Sequence, residues 1–237
     1  MDNGLLMNKK PWYKRRLVVA VLILAVLLIA FGSLFLYQAA KVYDEIKAGT
    51  FMGQSETAPY DMKALVDSMS PNVGLASAPV VIVEFGDFNC SQGRKAMPAV
   101  KQMLAKYGDK VIFYWRNFPV IADSSADFAK AGVCANQQGK FWLYHDLVLS
   151  GAVSVFPELT KVLPTLGMDM VKYDKCMANK LTAAQIKKDY YAATGAGVSG
   201  TPTFFINGYK LQGALPFEAW EQIVKKFTAT YEKKSGN

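Results

Sequence analysis

Cysteine and histidine are scarce in this chain, with three of one and one of the other among 237 residues. That inventory offers no ligand spacing of the zinc type, so no metal site is expected, and no motif asks for a cofactor. A dense Lys/Arg stripe interleaved with aromatics is also missing, which argues against nucleic acid as a partner. No internal period of solenoid length occurs. Charged residues make up 19 % of the chain and hydrophobic ones 51 %, which excludes a disordered polymer and indicates a packed globular part. The net charge of +8 is uneven: residues 1–37 hold Lys9, Lys10, Lys14, Arg15 and Arg16 against Asp2, +4, leaving a mild +4 for the rest.

The longest uncharged run is Leu17–Tyr37, LVVAVLILAVLLIAFGSLFLY. Its 21 residues would span about 30 Å as a helix, enough for a bilayer core. No face of it is polar, unlike that of a buried soluble helix. A cleavable signal peptide is the rival reading. Such a peptide has a shorter apolar region and a small-x-small cleavage site, whereas the run here ends Leu36-Tyr37-Gln38-Ala39-Ala40. A retained signal anchor is therefore expected at 17–37, behind a basic tail at 1–16. Because Lys/Arg excess stays on the cytoplasmic side, the tail is expected inside and the remainder outside the cytoplasm, on the periplasmic side of a single-pass inner-membrane protein.

Residues 38–77 read as a linker. Ala39–Lys47 can prolong the helix, Thr50–Tyr60 has tether composition, and Asp61–Met69 suits a short amphipathic helix. A domain is expected over 78–232. Val80–Phe85 is a short β-branched and aromatic run, as in a buried parallel strand. Ser91–Tyr107 is helical, with Ala96, Val100, Met103 and Leu104 on one stripe and Pro98 inside it as a source of a kink. Val111–Trp115 is the next strand. Residues 124–194 show only helical patterns: Ser125–Gln137, Lys140–Ser150, Pro157–Leu166, Met168–Met177 and Thr182–Ala193. Strands return at Thr203–Ile206 and Tyr209–Gln212, joined by Asn207-Gly208, a hairpin signal, and Pro216–Tyr231 closes the chain as an amphipathic helix.

The stretch Val80–Pro98, VVIVEFGDFNCSQGRKAMP, organises this domain. Cys90 opens a helix, where the macrodipole and unpaired N–H groups favour thiolate, the reactive form. Glu84 interrupts the apolar strand six residues earlier. It reads either as a proton acceptor for the thiol or as a strand-edge side chain reaching solvent. Asp87 and Asn89 suit turn and cap roles. Arg94 and Lys95 either attract an anionic thiol partner or form a solvated face.

With these pieces in place, and with Thr201-Pro202 before a strand and hairpin, the chain resembles the DsbA-like branch of the thioredoxin superfamily. Four segments carry the likeness over Ala78–Phe227: APVVIVEFGDFNC, VIFYWRNFPV, AKAGVCANQQGKFWLYHDLV and GVSGTPTFFINGYKLQGALPFEAW. The resemblance implies an α/β thioredoxin fold with an inserted helical subdomain at about 124–194, preceded by one transmembrane helix. It implies a cis Pro202, with Thr201 and Pro202 against the thiol as the contact for a substrate strand. It also implies a Cys-x-x-Cys motif followed five residues later by proline. Pro98 stands five residues after Gly93, so Gly93 replaces the second cysteine in a fixed register. The FWLYHD stretch of the family insert makes His145 a packing residue rather than half of a Cys–His hydrolase pair.

A thiol without its resolving neighbour still exchanges with an outside disulfide, but the mixed disulfide waits for another thiol. The expected activity is membrane-anchored, monothiol thiol-disulfide exchange or isomerisation on cysteine-containing or unfolded client proteins, with Cys90 and Glu84 as its chemistry and a membrane redox partner to serve it. Client binding or chaperoning without turnover, envelope scaffolding and redox sensing are the alternatives. Cys134 and Cys176, 42 residues apart, read as a structural bridge of an oxidising compartment, as two separate buried thiols, or as a resolver; bridged, they leave Cys90 as the odd thiol.

Overall fold

A computed structural model describes residues 12–47 and 60–235. The basic tail up to residue 11 and the tether at 48–59 lie outside the described residues. The chain forms two compact units, one holding the N-terminal helix and one holding the rest. The first unit is α1 (Trp12–Lys47). Its stretch Leu17–Gln38 is long and apolar enough to cross a membrane, and its apolar side chains are exposed within this unit.

The second unit runs α2 (Met62–Leu65), β1 (Asn72–Gly74), β2 (Val80–Gly86), α3 (Ser91–Tyr107), β3 (Val111–Asn117), α4 (Ser125–Gln137), α5 (Phe141–Leu149), α6 (Phe156–Val162), a 3-10 turn (Leu163–Leu166), α7 (Met170–Ala178), α8 (Lys180–Gly195), β4 (Thr203–Ile206), β5 (Tyr209–Gln212) and α9 (Phe217–Ser235). The five strands form one sheet in the order β1-β3-β2-β4-β5. β2 and β3 are parallel, and the other pairs are antiparallel. The α/β thioredoxin fold with its helical insertion is therefore the architecture. α3 continues through Pro98 without a break.

Alternation along β2 sorts its side chains between two layers. Val83 and Phe85 enter a core with Leu65, Phe118, Val198 and Phe205. Glu84 faces the other way, toward α3 and α5. The insert has its own core, in which Phe88 and Trp115 from the sheet side meet Phe128, Phe141, Tyr144 and Leu159. Turn chemistry holds the β4–β5 hairpin in register: Asn207 and Gly208 both take positive φ, at 47° and 91°. The Asn207 amide also accepts from Val81 N at 2.7 Å and donates to the Pro79 carbonyl at 3.0 Å, which ties the hairpin to the start of β2.

The sequence reading places the domain start too late. Residues assigned to the linker are built into the fold: Leu65 is buried, Asp67 pairs with Lys188 at 2.7 Å and accepts from Gln185, and β1 pairs with β3. The expected helix at 61–69 shrinks to the single turn of α2, capped by Asp61. β1 leaves no hydropathy signature because all three of its residues are exposed. Behind it, the buried Arg116 guanidinium binds Asp189 at 2.9 Å and the Leu65 carbonyl at 3.0 Å, fastening α8 and this entry segment to β3.

Cys134 and Cys176 are disulfide-bonded, joining α4 to α7 across 42 residues inside the insert core. Closing a loop of that length limits the unfolded chain by roughly 4 kcal/mol at most. Replacing both cysteines by alanine is expected to lower the unfolding free energy by about 2–4 kcal/mol. Urea titration of the double variant checks this, and an unchanged midpoint would show that the bridge adds nothing.

Candidate functional site

Cys90 is the N-cap of α3 and the one free cysteine among the described residues. The last residue of β2, Gly86, has the Trp115 indole against it, and a Cβ there would approach the ring to 2.2 Å, so only glycine fits. The chain then turns through Asp87–Asn89. The Asp87 carboxylate is buried and accepts four hydrogen bonds, from Asn89 N and Ser125 Oγ at 2.8 Å each, from Val120 N at 2.7 Å and from Ile121 N at 2.8 Å. Asn89 adds bonds to the Ser124 and Ser125 hydroxyls. The loop carrying the thiol is thus bolted to the segment after β3, a long-range role beyond the turn and cap roles read from the sequence.

The thiol itself is 4 % exposed and donates to the Thr201 carbonyl at 3.0 Å. The Thr201–Pro202 peptide is cis, and Pro202 is buried behind it. Residues 111 apart in sequence therefore meet at the sulfur. Arg94 is half-buried and Lys95 exposed. His145 does not reach the thiol as a hydrogen-bond partner: its Nδ1 lies 3.2 Å from Asp146 Oδ1, and its ring sits against Trp115, Trp142 and Phe88. Burial lowers the imidazole pKa, and Asp146 opposes that shift.

Gly93 occupies the position one turn beyond Cys90. A Cβ built there would lie 3.7 Å from the Cys90 Cβ, with the Asp87 carbonyl and Leu149 Cδ2 both at 3.9 Å. The site has room for a side chain but carries none. Gly93, Met97, Lys101, His145 and Leu149 line a cavity of about 30 Å³ that also takes in Glu84.

Glu84 is buried in mid-strand, paired in register with Trp115 and Phe204. The solvent-reaching alternative is excluded by its 4 % exposure. Burial, which penalises the charged form, pushes its carboxyl up to about 8. Among the described residues no hydrogen bond or ion pair engages that carboxyl. A group that is mostly protonated at neutral pH yet titrates just above it can both accept and return a proton there. No cluster of three or more His, Cys, Asp or Glu residues fit for a metal ion occurs among the described residues.

Sequence reasoning missed the bolt at Asp87, the contact of Gly86 with Trp115 and the shared cavity of Glu84 and His145. A glycine-aspartate pair directly after a buried strand was the available signal for the first two.

Residues 67–226 match the family model described as Thioredoxin. Among curated proteins, the Na(+)/H(+) antiporter NhaA 3 of Salinispora tropica is 34 % identical over 190 residues, covering 78 % of this chain and 29 % of that protein. The Na(+)/H(+) antiporter NhaA of Herminiimonas arsenicoxydans is 25 % identical over 202 residues, 84 % of this chain and 31 % of that protein. The chain thus spans about a third or less of these relatives. Among solved structures, a thioredoxin-like oxidoreductase from Silicibacter pomeroyi superposes with a TM-score of 0.66 at 23 % identity, over 71 % of this chain and 98 % of that one. The thiol-disulfide exchange protein alpha-DsbA2 of Wolbachia pipientis gives 0.64 at 18 % identity, over 77 % and 96 %. The catalytic domain of Proteus mirabilis ScsC gives 0.63 at 23 %, over 71 % and 94 %. At these identities the structures share the fold.

Proposed function

The chain belongs to the thioredoxin family, and on that footing we propose that it is a membrane-anchored, extracytoplasmic monothiol exchange protein acting through Cys90. One observation carries the reading: the free thiol is held at a helix N-terminus 3.0 Å from the Thr201 carbonyl, while glycine stands in the resolving position and the other two cysteines are bonded to each other.

In the proposed cycle Cys90 transfers its proton toward Glu84, and the thiolate attacks one sulfur of a client disulfide. The new S–S bond joins Cys90 to the client, and the old bond's second sulfur leaves as thiolate. Reaction at the sulfur frees the Thr201 carbonyl to accept a backbone N–H from an extended client strand. A second thiolate, from the client or from a small thiol, then displaces Cys90, which recovers its proton. Electrons balance between the two disulfides, and no internal disulfide forms at this motif.

Leu17–Gln38 supports the anchor, and the bridged Cys134–Cys176 suits an oxidising compartment. Antiporter names belong to proteins of which this chain matches a minor part. The one apolar span among the described residues does not enclose a transport path, so those names suggest company in the membrane rather than transport by these residues.

The test uses the full chain in detergent with a peptide mixed disulfide. Thiol release is expected to fall more than about a hundredfold in Cys90→Ser, since the nucleophile is gone. Equal release from Cys90→Ser would end the exchange reading. The second reading, client binding without turnover, is favoured by the missing resolver at Gly93. Refolding assistance that survives Cys90→Ser would select it.

A further inference from the structure

Two titratable side chains of one cavity each hold an atom that no group among the described residues satisfies. Glu84, from β2, has no hydrogen-bond or ion-pair partner for its carboxyl among the described residues. His145, from α5, has Nδ1 beside Asp146 at 3.2 Å, while its Nε2 is buried and unpaired. Both line the cavity next to Gly93. About 30 Å³ is room for one or two waters, which need several polar partners to stay. Two other charged groups reach this wall, Lys101 from α3 and Asp146 from α5. They pair with each other at 2.6 Å and are partly exposed, at 53 % and 39 %. The remainder, apart from Gly93, is apolar. Gly93 in turn lies against Cys90, since a Cβ on it would sit 3.7 Å from the cysteine Cβ. A largely apolar pocket holding these two buried titratable groups thus runs from the turn beside the thiol to a surface ion pair.

We propose, resting on the exchange reading above, that water held in this cavity joins the Glu84 carboxyl to His145 Nε2, and that this coupled pair sets the pH range over which Cys90 exchanges, with Asp146 and Lys101 as its opening to solvent. The proton lost by Cys90 on attack lands on the Glu84 carboxylate or, through the water, on Nε2. It leaves from Nδ1 toward Asp146 and returns by the same path when a thiolate displaces Cys90. No electron moves in this step. His145 acts through Glu84 and is a positioning residue; buried aromatic packing alone would give it no part in the pH dependence.

The chain has one histidine, so a labelled imidazole reports without assignment. In the full chain in detergent, the His145 signal is expected to respond twice to pH: once below 6.5, and again where Glu84 ionises near 8. Glu84→Gln keeps only the lower response. The pH midpoint of Cys90 exchange with a peptide mixed disulfide is expected to move by about one unit in His145→Gln, the scale of coupling between interacting sites. A single imidazole response common to the wild type and Glu84→Gln overturns the proposal, and so does an unmoved midpoint in folded His145→Gln. Should His145→Gln not fold, the Glu84→Gln comparison decides. A chain whose Cys90 exchanges at no pH would sink the functional reading by itself, while the imidazole titration, which needs no substrate, still judges the link between Glu84 and His145.

Discussion

Gly93→Cys is expected to give the domain an internal disulfide and, with it, turnover. The built Cβ–Cβ distance to Cys90 is 3.7 Å, inside the usual range of roughly 3.5–4.5 Å for a disulfide. The next nearest atoms, at 3.9 Å, are in ordinary contact with such a Cβ. In the proposed cycle a mixed disulfide at wild-type Cys90 waits for an outside thiol. In the variant the second sulfur stands one helical turn away. Even at an effective concentration of about 1 M, far below the ceiling for well-oriented intramolecular reactions, it would clear the adduct about a thousandfold faster than about 1 mM external thiol. Quenching with acid and separating trapped adducts measures this directly. The variant should also oxidise a reduced client with its own disulfide, which the wild type is not expected to do at this motif. If adducts of Gly93→Cys persist as long as those of the wild type, the role proposed for the vacancy at position 93 fails.

The second large effect is a fall in stability with rising pH that belongs to Glu84. Its carboxyl titrates near 4.5 in the unfolded chain and near 8 in the folded one. Between those values the unfolded state releases a proton that the folded state keeps, so folding becomes less favourable as pH rises and levels off above about 8. The whole displacement corresponds to something on the order of 5 kcal/mol. His145 works in the opposite sense at lower pH: its folded pKa lies below 6.5, so protonation favours the unfolded chain as pH falls through that range. The window from 6.5 to 8 therefore isolates Glu84, and a loss of about 2 kcal/mol is expected across it. Glu84→Gln, which cannot ionise, should be flat there and more stable than the wild type at pH 8. Urea titrations at a series of pH values check both expectations. Parallel curves for the two proteins would show that Glu84 is solvated or paired in solution, and its role as proton acceptor would lose its basis.

Such a carboxyl is a stability liability retained in mid-strand. Burial on this scale is expensive unless the group has a partner or a task. That is the physical reason to read Glu84 as functional, together with its place on a cavity shared with Gly93.

Periodicity alone carried much of the fold. The stripe from Ala96 to Leu104, the β-branched run at Val80–Phe85 and the Asn207-Gly208 turn each encode local geometry in local composition. The observed α3, α4, β4 and β5 have the bounds expected for them. β1 did not declare itself, because three exposed residues on a sheet edge bury nothing and so need no pattern. Asp67 and Leu65 were equally silent, since their partners Lys188 and Arg116 lie far along the chain.

The sequence by itself singled out one sulfur as the candidate for chemistry: a cysteine at a helix start, a glycine three residues on and a proline five beyond it are matters of spacing within one turn-and-helix unit. Tertiary structure alone decided what surrounds that sulfur. The Thr201 carbonyl, the Asp87 clamp on Val120 and Ile121, and the cavity uniting Glu84 with His145 bring together residues from separate elements, and they exist only once the sheet and the insert are packed. Local pattern specifies backbone conformation because it acts over a few bonds. The environment of a buried acid or thiol depends on desolvation by distant side chains, which no spacing in the chain records.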